Sequence, residues 1–360
     1  MQKIRVLLLC RYGGLGASSR LRTLQYGPWL AREGIDIEIR PLFSSEMLFA
    51  KYKNRRYSLS SLLCAYASRL HILLTKGSFD LLWIEKEALP WWPRWVESAL
   101  LAGVPYVLDY DDAVFHNYDR HWLAAVRFTY GRRLDGLMAR AALVVGGNDY
   151  LVQRARDAEA PWAEVLPTVI DLDRYPAPAV ESVRAAERLA RIVWIGSPST
   201  VHYLRLLQEP LQRLAQRVPF VLRVIGGDFA LPGVQVECLP WSGDTEVAYI
   251  TAADVGVMPL LDSPWERGKC GYKLIQYMAC GLPVVASDVG VNPEIVRHKE
   301  NGYLASTPDD WVAALEALLQ SPSLRAQLGA QGRRRVEEAY CIQKTGPLMA
   351  QLLRTAAGKI

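Results

Sequence analysis

The sequence predicts an α/β protein made of two doubly wound, Rossmann-like domains that face each other across a cleft. Short apolar runs alternate with helix-like stretches along nearly the whole chain, which is the pattern of parallel βαβ units. The alternation stops at PTVIDLDRYPAP, residues 167–178, where three prolines interrupt any helical period, and then it restarts. A chain of 360 residues also exceeds what one hydrophobic core usually organises.

The first predicted domain, residues 1–168, opens with a strand, a glycine loop, a helix and a second strand. Residues 4–10 form the apolar strand, RYGGLGASSR follows as the loop, and residues 19–33 have a helical pattern. Gly34 then marks the end of the helix. The later strands of this domain are predicted at residues 35–39, 81–85, 104–108, 143–145 and 165–166.

The second predicted domain, residues 183–340, follows a linker at residues 169–182 and repeats the same order. Its strands are predicted at residues 191–195, 220–225, 234–238, 254–258 and 283–287. Residues 311–320 and 324–339 are predicted as surface helices. Residues 341–360 are predicted as a final helix or tail, with a return to the N-terminal domain as one arrangement.

Composition narrows the class of protein. A net charge of +5 is too small for a nucleic-acid-binding protein but suits anionic ligands or an anionic membrane surface. The six cysteines are far apart and form no C-x-x-C pair, which indicates reduced thiols and no zinc site. The apolar N-terminal run is too short for a signal sequence, and no apolar run is long enough to span a membrane. We therefore expect a cytoplasmic protein, with peripheral attachment to the inner face of the plasma membrane as an alternative.

Residues 265–294 carry the clearest binding signal. A basic loop broken by glycines leads into a helix, and helix N-termini with free amides favour anions. Lys269 and Lys273 supply positive charge there, and Gly271 and Tyr272 supply backbone N–H groups. Gly196 and Ser197, after the first strand of the second domain, are expected to add two more amides. Together they predict a diphosphate site.

A resemblance to a known family rests on the same region. The phrases are DVGVMPL from Asp254, GKCGYKLIQYMACGLPVVA from Gly268, EIV from Glu294 and NGYL from Asn301, supported by GGLGASSRLR near the N-terminus. In this order they resemble the group-1, family-4 glycosyltransferases of GT-B fold. The resemblance implies a nucleotide-sugar donor on the C-terminal domain, an acceptor on the N-terminal domain, and transfer with retention of anomeric configuration.

The chain departs from that family at two positions. Gly268 and Gln276 stand where the family signature has two glutamates. An amide at Gln276 still offers a donor and an acceptor to ribose hydroxyls, but without charge. The missing sugar contact is then expected from Glu266, Lys269 or the backbone. Glu294 is a further donor-binding residue or, equally, a helix-capping charge.

Asp111, Asp112 and His116 are expected on the acceptor side, because polar residues after a buried strand are where open α/β sheets bind ligands. Asp112, His116 and Lys269 are the predicted catalytic residues. A structural role for the histidine is the alternative. Gly14 and Gly16 are predicted to let the first loop approach the donor diphosphate, or simply to form a tight β–α turn.

No cofactor and no metal are expected beyond a UDP- or GDP-linked sugar, because lysines can neutralise the leaving diphosphate. The expected acceptor is a glycan, a lipid-linked molecule or a small molecule, with cell-envelope polysaccharide biosynthesis as the setting. The basic segment from Ser45 to Lys76 suggests an anionic membrane surface as a further partner, or else a solvated helical face. Nucleic acid is not an expected partner.

Three other functions fit parts of the sequence. The loss of both glutamates favours a GT-B-like protein that binds a nucleotide or glycan without transferring sugar. A nucleotide-sugar epimerase on the same fold is a smaller alternative. A dinucleotide-dependent oxidoreductase shares the spacing of Gly14 and Gly16, but Ser19 replaces the third small residue of that fingerprint and the second domain has no dehydrogenase motif.

Overall fold

The computed structural model describes residues 3–54, 57–176 and 188–359, with the backbone alone described for residues 51–54. Residues 177–182 of the predicted linker, 183–187 at the predicted start of the second domain, and 55–56 of the basic segment lie outside the described residues. The chain divides into two compact units. The first contains Met1–Thr168, Gly268–Cys270 and Ile342–Ile360, and the second contains Val169–Arg267 and Gly271–Cys341.

The first unit is built on a parallel sheet with the strand order β2-β1-β3-β4-β5-β6. The strands are β1 (Ile4–Leu9), β2 (Ile35–Ile39), β3 (Leu81–Glu85), β4 (Tyr106–Tyr110), β5 (Leu143–Gly146) and β6 (Ala163–Val165). The helices are α1 (Ala17–Arg22), α2 (Gly27–Arg32), α3 (Ser45–Asn54), α4 (Leu59–Leu74), α5 (Arg94–Leu101), α6 (His116–Asp119), α7 (Ala124–Tyr130), α8 (Arg133–Met138) and α9 (Asp149–Asp157).

Two details of the first unit differ from the sequence prediction. The helix predicted at residues 19–33 is broken into α1, a 3₁₀ turn at Leu24–Tyr26, and α2, which begins with Gly27 and Pro28. Strand β4 begins at Tyr106 and continues through Asp109 and Tyr110, two residues beyond the predicted end. Asp109 is therefore part of a fully buried strand, where Arg22 neutralises it.

The second unit has a parallel sheet with the strand order β12-β11-β10-β7-β8-β9. Its strands are β7 (Ala190–Ile195), β8 (Phe220–Ile225), β9 (Gln235–Leu239), β10 (Val255–Met258), β11 (Val284–Ser287) and β12 (Gly302–Ala305). Its helices are α10 (Gln208–Ala215), α11 (Glu246–Thr251), α12 (Pro264–Arg267), α13 (Tyr272–Ala279), α14 (Asn292–Ile295), α15 (Pro308–Gln320) and α16 (Pro322–Ala339).

The core of each unit follows from its strands. β3, β4, β8 and β11 are buried along their whole length, as expected for central parallel strands covered on both faces. Both units are therefore Rossmann-like, as the alternating pattern predicts. Strand β12 was missed by the sequence reading, because GYLA is short and has no flanking apolar run.

The last helix, α17 (Ile342–Ala356), belongs to the first unit. Thr345 and Tyr26 are joined by a hydrogen bond of 2.8 Å between their hydroxyl groups. Gly346 packs so closely on Trp29 that a Cβ atom there would lie 3.1 Å from the indole ring. Among the described residues, no helix combines the length and the apolar character needed to cross a bilayer.

Candidate functional site

The candidate acceptor residues lie just past the carboxyl ends of β3 and β4 in the first unit. Lys86 follows β3, and its Nζ is 2.8 Å from Asp111 Oδ1 and 3.6 Å from Asp112 Oδ2. The same ammonium group donates a hydrogen bond of 3.1 Å to Ser18 Oγ. Neighbouring parallel strands end at the same edge of the sheet, which is why residues 25 positions apart meet here. The result is a partly buried cluster of one lysine and two carboxylates.

Charge holds this cluster together. Burial by itself lowers the pKa of Lys86, but the Asp111 and Asp112 carboxylates outweigh it and raise that pKa. Burial likewise raises the pKa of Asp111, but Lys86 outweighs it and lowers that pKa. The pair is therefore ionised at neutral pH. Lys86 also has a φ of 66°, a conformation that costs energy for a residue with a side chain, and its N–H donates to Asp109 O at 2.9 Å.

The segment Gly268–Cys270 belongs to this first unit. Lys269 Nζ is 3.5 Å from Asp112 Oδ1, so Asp112 is in contact with two lysines. Asn148 donates to Lys269 O at 2.9 Å, and its side-chain oxygen accepts from Leu151 N at the start of α9. One asparagine therefore caps a helix and fixes the Lys269 backbone.

Gly268 packs against the loop that follows β4. A Cβ atom on Gly268 would lie 2.5 Å from Ala113 Cβ, closer than real Cβ contacts. The Cys270 thiol donates to Asp111 O at 3.2 Å, and burial raises its pKa to about 12. The absence of a carboxylate at position 268 thus has a steric cause in this chain.

His116 is held by two protein partners. Its Nδ1 is 2.8 Å from Asp119 Oδ1, and its Nε2 is 2.8 Å from Tyr150 Oη. The ring is nearly buried at the start of α6. The structure does not bring His116 into contact with Asp112 through any hydrogen bond among the described residues, and the ring would have to release a partner before it could bind an acceptor.

The first glycine loop precedes α1. Gly16 N–H donates to Gly13 O at 2.9 Å, and a Cβ on Gly16 would lie 2.6 Å from Tyr12 Cβ. Gly14 has nothing within 4 Å of its Cβ position. Gly16 is thus needed for the turn itself, while Gly14 leaves open space beside the loop.

A buried ionic network lies beneath the cluster of the first unit. Glu85 accepts from Ser19 Oγ at 2.6 Å and from Arg11 N at 3.0 Å. Glu87 and Glu97 both pair with one arginine, Arg133. Both Glu85 and Glu87 are buried.

In the second unit, α13 begins after Gly271, whose φ is 63°. A Cβ on Gly271 would also lie 2.2 Å from Ile295 Cδ1, so glycine is required there for two reasons. Tyr272 and Lys273 form the first turn of α13. Lys273 Nζ lies 5.8 Å from the centroid of the buried Trp194 ring, which is a cation–π contact.

The two amides predicted from the loop after β7 already have acceptors. Gly196 N–H donates to Ile225 O at 3.0 Å, and Ser197 N–H donates to Thr200 Oγ1 at 3.2 Å. The Ser197 hydroxyl is 2.7 Å from Ser199 Oγ. A diphosphate that used Ser197 N–H would therefore have to displace the Thr200 hydroxyl.

Two polar side chains near α13 are buried. Gln276 is 3% exposed and donates to Tyr175 Oη at 2.9 Å. Glu266, on α12, accepts from Tyr203 Oη at 2.5 Å and also from the Ser263 hydroxyl. Glu266 is thus a fixed carboxylate two residues before Gly268.

Glu294 is exposed on the short helix α14, in its first turn, and its carbonyl oxygen accepts from Arg335. Within residues 3–54, 57–176 and 188–359, no group of three histidine, cysteine or acidic side chains is arranged to hold a metal ion.

Lys86, Tyr175 and Trp194 were not predicted from the sequence as site residues. The one signal for Lys86 in the sequence is the charged stretch IEKE, residues 84–87, at the end of β3.

Known glycosyltransferases are similar to this chain in sequence. Residues 190–321 match the family model described as glycosyl transferases group 1. The D-inositol 3-phosphate glycosyltransferase of Rhodococcus erythropolis is 30% identical over 248 residues, which cover 59% of this chain and 55% of that protein. The chain thus spans about half the length of curated relatives that it matches.

Solved structures share the fold at low sequence identity. The sucrose-phosphate synthase of Thermosynechococcus elongatus has a TM-score of 0.72 at 17% identity, covering 99% of this chain and 100% of that one. HepE of Anabaena, solved in complex with UDP-glucose, has a TM-score of 0.69 at 16% identity, covering 98% and 100%. Together with the two parallel six-stranded sheets, these structural matches show the GT-B fold, and the family match over residues 190–321 makes the chain similar to the group-1 glycosyltransferases.

Proposed function

We propose that the protein transfers a sugar from a nucleotide diphosphate sugar to a glycan, a lipid-linked acceptor or a small molecule, with retention of anomeric configuration. The main support for the proposal is that the family match covers the predicted donor residues. The group-1 domain spans residues 190–321, and most of the predicted donor residues, from Gly196 to Glu294, lie within it. The glycosyltransferase activity of a relative that shares 30% identity supports the same reaction class.

The proposed donor is a UDP- or GDP-linked sugar. HepE of Anabaena was solved with UDP-glucose, and this makes UDP-sugars the first donors to test. Gln276 would bind the ribose, which requires its amide to exchange or share its hydrogen bond with Tyr175. Glu266 would supply the fixed carboxylate for sugar hydroxyls that position 268 lacks.

Two lysines would neutralise the leaving diphosphate. As the bond to the sugar breaks, the nucleotide gains negative charge and the sugar becomes cation-like, so a nearby positive charge stabilises the transition state more than the ground state. Lys273 is on the first turn of α13, where the helix dipole also favours an anion. Lys269 is the second proposed lysine, and binding an anion would require it to share or give up its contact with Asp112. In this scheme the reaction needs no metal ion.

Asp112 would orient the acceptor hydroxyl. Its side chain is 28% exposed, more than that of Asp111, and so it is the carboxylate of the cluster that a bound molecule can reach. Lys86 would hold Asp111 and Asp112 in place without touching the acceptor. His116 would contribute as a second polar group if it releases Tyr150.

The proposed setting is cell-envelope polysaccharide synthesis at the cytoplasmic face of the plasma membrane. The basic segment from Ser45 to Lys76 supports a membrane partner, because α4 carries no acidic residue and exposes Leu59 and Leu63. The acceptor would then be presented at the lipid surface.

A second candidate function is binding of a nucleotide or glycan without transfer. The packing of Gly268 on Ala113 favours it, because that packing leaves no room for a side chain where the family signature has a glutamate. Acceptor-dependent release of nucleotide separates the two candidates, since a protein that binds a nucleotide without transfer would not show it.

Thermal shift with UDP, GDP and ADP and their common sugars tests donor binding, because a ligand of the folded state raises the melting temperature with its occupancy. Release of nucleotide is then followed with a panel of acceptors, with and without EDTA. Lys269→Met and Lys273→Met are each expected to weaken diphosphate affinity by about 5- to 150-fold, or roughly 1 to 3 kcal/mol. Lys344→Met, on the exposed side of α17, is the control and should bind as the original protein does.

Stabilisation by a sugar nucleotide followed by acceptor-dependent release that persists in EDTA is the expected result. Binding without release by any acceptor would favour the second candidate. No stabilisation by any nucleotide or sugar nucleotide, in a protein that unfolds cooperatively, would overturn the proposed transferase and the nucleotide-binding form of the second candidate.

A further inference from the structure

A group of large aromatic side chains is exposed on the first unit, and we call it the aromatic patch. Its members have exposed fractions of 48%, 74%, 80% and 95%, and they are Trp91, Trp95, Trp122 and Phe128 in that order. Such residues are usually buried, because burial of one large apolar side chain stabilises a protein by roughly 1.5 to 3 kcal/mol. Four such side chains occur within 38 residues of sequence, and ring contacts link Trp91 to His121 and His121 to Trp122. Contiguous exposed apolar surface of this kind is typical of an interaction site.

The patch has a rigid base. Trp91 N–H donates to Tyr118 Oη at 3.1 Å, and its ring meets the Tyr118 ring edge-on at a centroid distance of 4.8 Å. The same indole contacts His121 at 5.9 Å and Tyr130 at 6.4 Å. Tyr118 in turn donates to Glu87 within the buried Arg133 network. The Trp91 ring is therefore held against the buried Tyr118 rather than carried on a loose loop.

Helix α7 presents the outermost part of the patch. Ala124, Ala125 and Phe128 are exposed, and they lie on one side of the helix at the spacing of one turn. No residue of α7 is buried. Trp122 lies two residues before the helix begins.

In the stretch of sequence that carries the patch, the carboxylates are in ion pairs, whereas, among the described residues, several exposed arginines are not. Every carboxylate between residues 88 and 134 is in an ion pair: Glu97, Asp109, Asp111, Asp112 and Asp119. Among the ion pairs of the described residues, by contrast, none involves the four exposed arginines Arg94, Arg120, Arg127 and Arg132. Arg127 instead donates to the carbonyl oxygens of His121 and Trp122. The same stretch of sequence thus offers exposed apolar rings together with arginines that are in none of these ion pairs.

We propose that the aromatic patch docks on the surface of an anionic lipid bilayer, with Trp122 and Phe128 in the headgroup region and the exposed arginines of the same stretch against lipid phosphates. Indole and phenyl rings favour the membrane–water interface, and arginine pairs with phosphate while its stem stays on apolar surface. A protein partner would match the rings, but the unopposed arginines favour an anionic surface.

This surface lies next to the candidate acceptor residues. His116 begins α6, Trp122 follows three residues after α6 ends, and both belong to the unit that holds Asp112. Docking here would bring a lipid-carried acceptor to that side of the unit. This last step rests on the proposed function, whereas lipid binding itself does not.

Sedimentation with vesicles tests the proposal without any sugar transfer. Vesicles of phosphatidylcholine with about 30% phosphatidylglycerol should bind the protein, pure phosphatidylcholine should bind it at least about tenfold less, and binding should fall between about 0.1 M and about 0.5 M NaCl. Trp122→Ala/Phe128→Ala and Arg120→Gln/Arg132→Gln should each lower binding at least about tenfold. Leu261→Ala/Leu348→Ala, which are 49% and 50% exposed elsewhere, and Arg156→Gln/Arg205→Gln are matched controls that should bind normally.

Equal vesicle binding by the patch variants and the controls would overturn the proposal. So would absence of binding to anionic vesicles, and if the original protein then self-associates in light scattering while Trp122→Ala/Phe128→Ala does not, the patch is a protein interface instead. Thermal shift with the donor is measured on the same samples. A protein that binds vesicles but no sugar nucleotide would keep this inference and remove the proposed function.

Discussion

A Cβ atom on Gly268 would lie 2.5 Å from the Cβ of Ala113 and 2.8 Å from the backbone nitrogen of Ala113. The contact ties the segment Gly268–Cys270 to the loop that carries Asp111 and Asp112. A glutamate at position 268, as in the family signature, would require one of these two backbones to move. The departure from the signature is therefore coupled to the position of the neighbouring loop.

Gly268→Ala is expected to destabilise the protein by about 1 to 3 kcal/mol, because added volume in a close contact forces side chains or backbone to shift. Gly268→Glu should cost more. Urea unfolding gives the free energy of unfolding for each variant. Gly27→Ala is the control, since its Cβ position has nothing within 4 Å and its φ of −46° is helical, and it should be neutral or slightly stabilising.

A substitution at Ala113 tests the contact between Gly268 and Ala113 from the other residue. Ala113→Gly removes the methyl group that a Cβ at position 268 meets first, so Gly268→Ala should cost less in that background. Part of the cost should remain, because the backbone of Ala113 is also close. Strict additivity of the two substitutions would show that the contact is not the cause.

Lys86→Met is expected to destabilise the protein by about 3 to 5 kcal/mol near neutral pH, because it leaves the Asp111 carboxylate partly buried without its partner. The loss should shrink on acidification. Without Lys86 the pKa of Asp111 rises, so Asp111 can take up a proton and its charge is removed. Urea unfolding at about pH 7.5 and about pH 5 measures the change.

The control for Lys86→Met is Arg213→Met, which breaks an exposed pair with Asp309. Exposed pairs contribute about 1 kcal/mol or less, so that variant should change little at either pH. Donor binding should be unchanged in Lys86→Met, while sugar transfer should fall if Lys86 positions Asp112. Equal stability losses in Lys86→Met and Arg213→Met would refute the anchoring role of Lys86.

The sequence predicts the sheets better than the site. Strands such as β3 and β8 are continuous apolar runs, and burial on both faces of a parallel sheet requires that pattern. The end of β4 could not be read in this way, because Asp109 is tolerated inside the strand through its ion pair with Arg22, 87 residues earlier in the chain, and a hydrogen bond from the Trp83 indole. Lys86 was missed for the same reason, since its role depends on carboxylates that arrive from the next strand.

The candidate residues between positions 268 and 276 show the same limit of prediction from sequence. The lysines and glycines of residues 268–273 could be recognised from their motif, but the partners of Lys269 and Gln276 could not. Asp112 and Tyr175, respectively, lie more than 100 residues away from them in sequence. Motifs give residue types at short spacing, whereas hydrogen-bond partners are set by the tertiary fold.

Thiol reactivity should separate the six cysteines into two classes. Cys64 and Cys238 are exposed, and Cys10, Cys270, Cys280 and Cys341 are buried. Burial raises the pKa of Cys10 and of Cys270 to about 12, so these two have almost no thiolate at neutral pH. We expect two fast thiols in a DTNB titration of the native protein and six in guanidinium chloride. Cys64→Ser/Cys238→Ser should remove the fast phase, and a remaining fast phase would contradict the assignment.

Glu97 should make the folded protein less stable as the pH rises towards neutrality. Burial raises its pKa to about 7, and Glu87 shares Arg133 with it, so one guanidinium faces two carboxylates. Between the pKa of an unfolded glutamate, about 4.3, and about 7, the folded state holds a proton that the unfolded state has lost. The free energy of unfolding therefore falls across this range, by at most about 4 kcal/mol, and is flat on this account below and above it.

Glu97→Gln cannot titrate, so wild-type stability measured by urea unfolding should decline relative to Glu97→Gln between about pH 5 and about pH 7. Only the pH dependence of this stability difference is diagnostic, because the amide also changes the pairing with Arg133. Glu209→Gln, at an exposed carboxylate, should leave the slope unchanged, and parallel pH profiles for wild type and Glu97→Gln would rule out a raised pKa at Glu97.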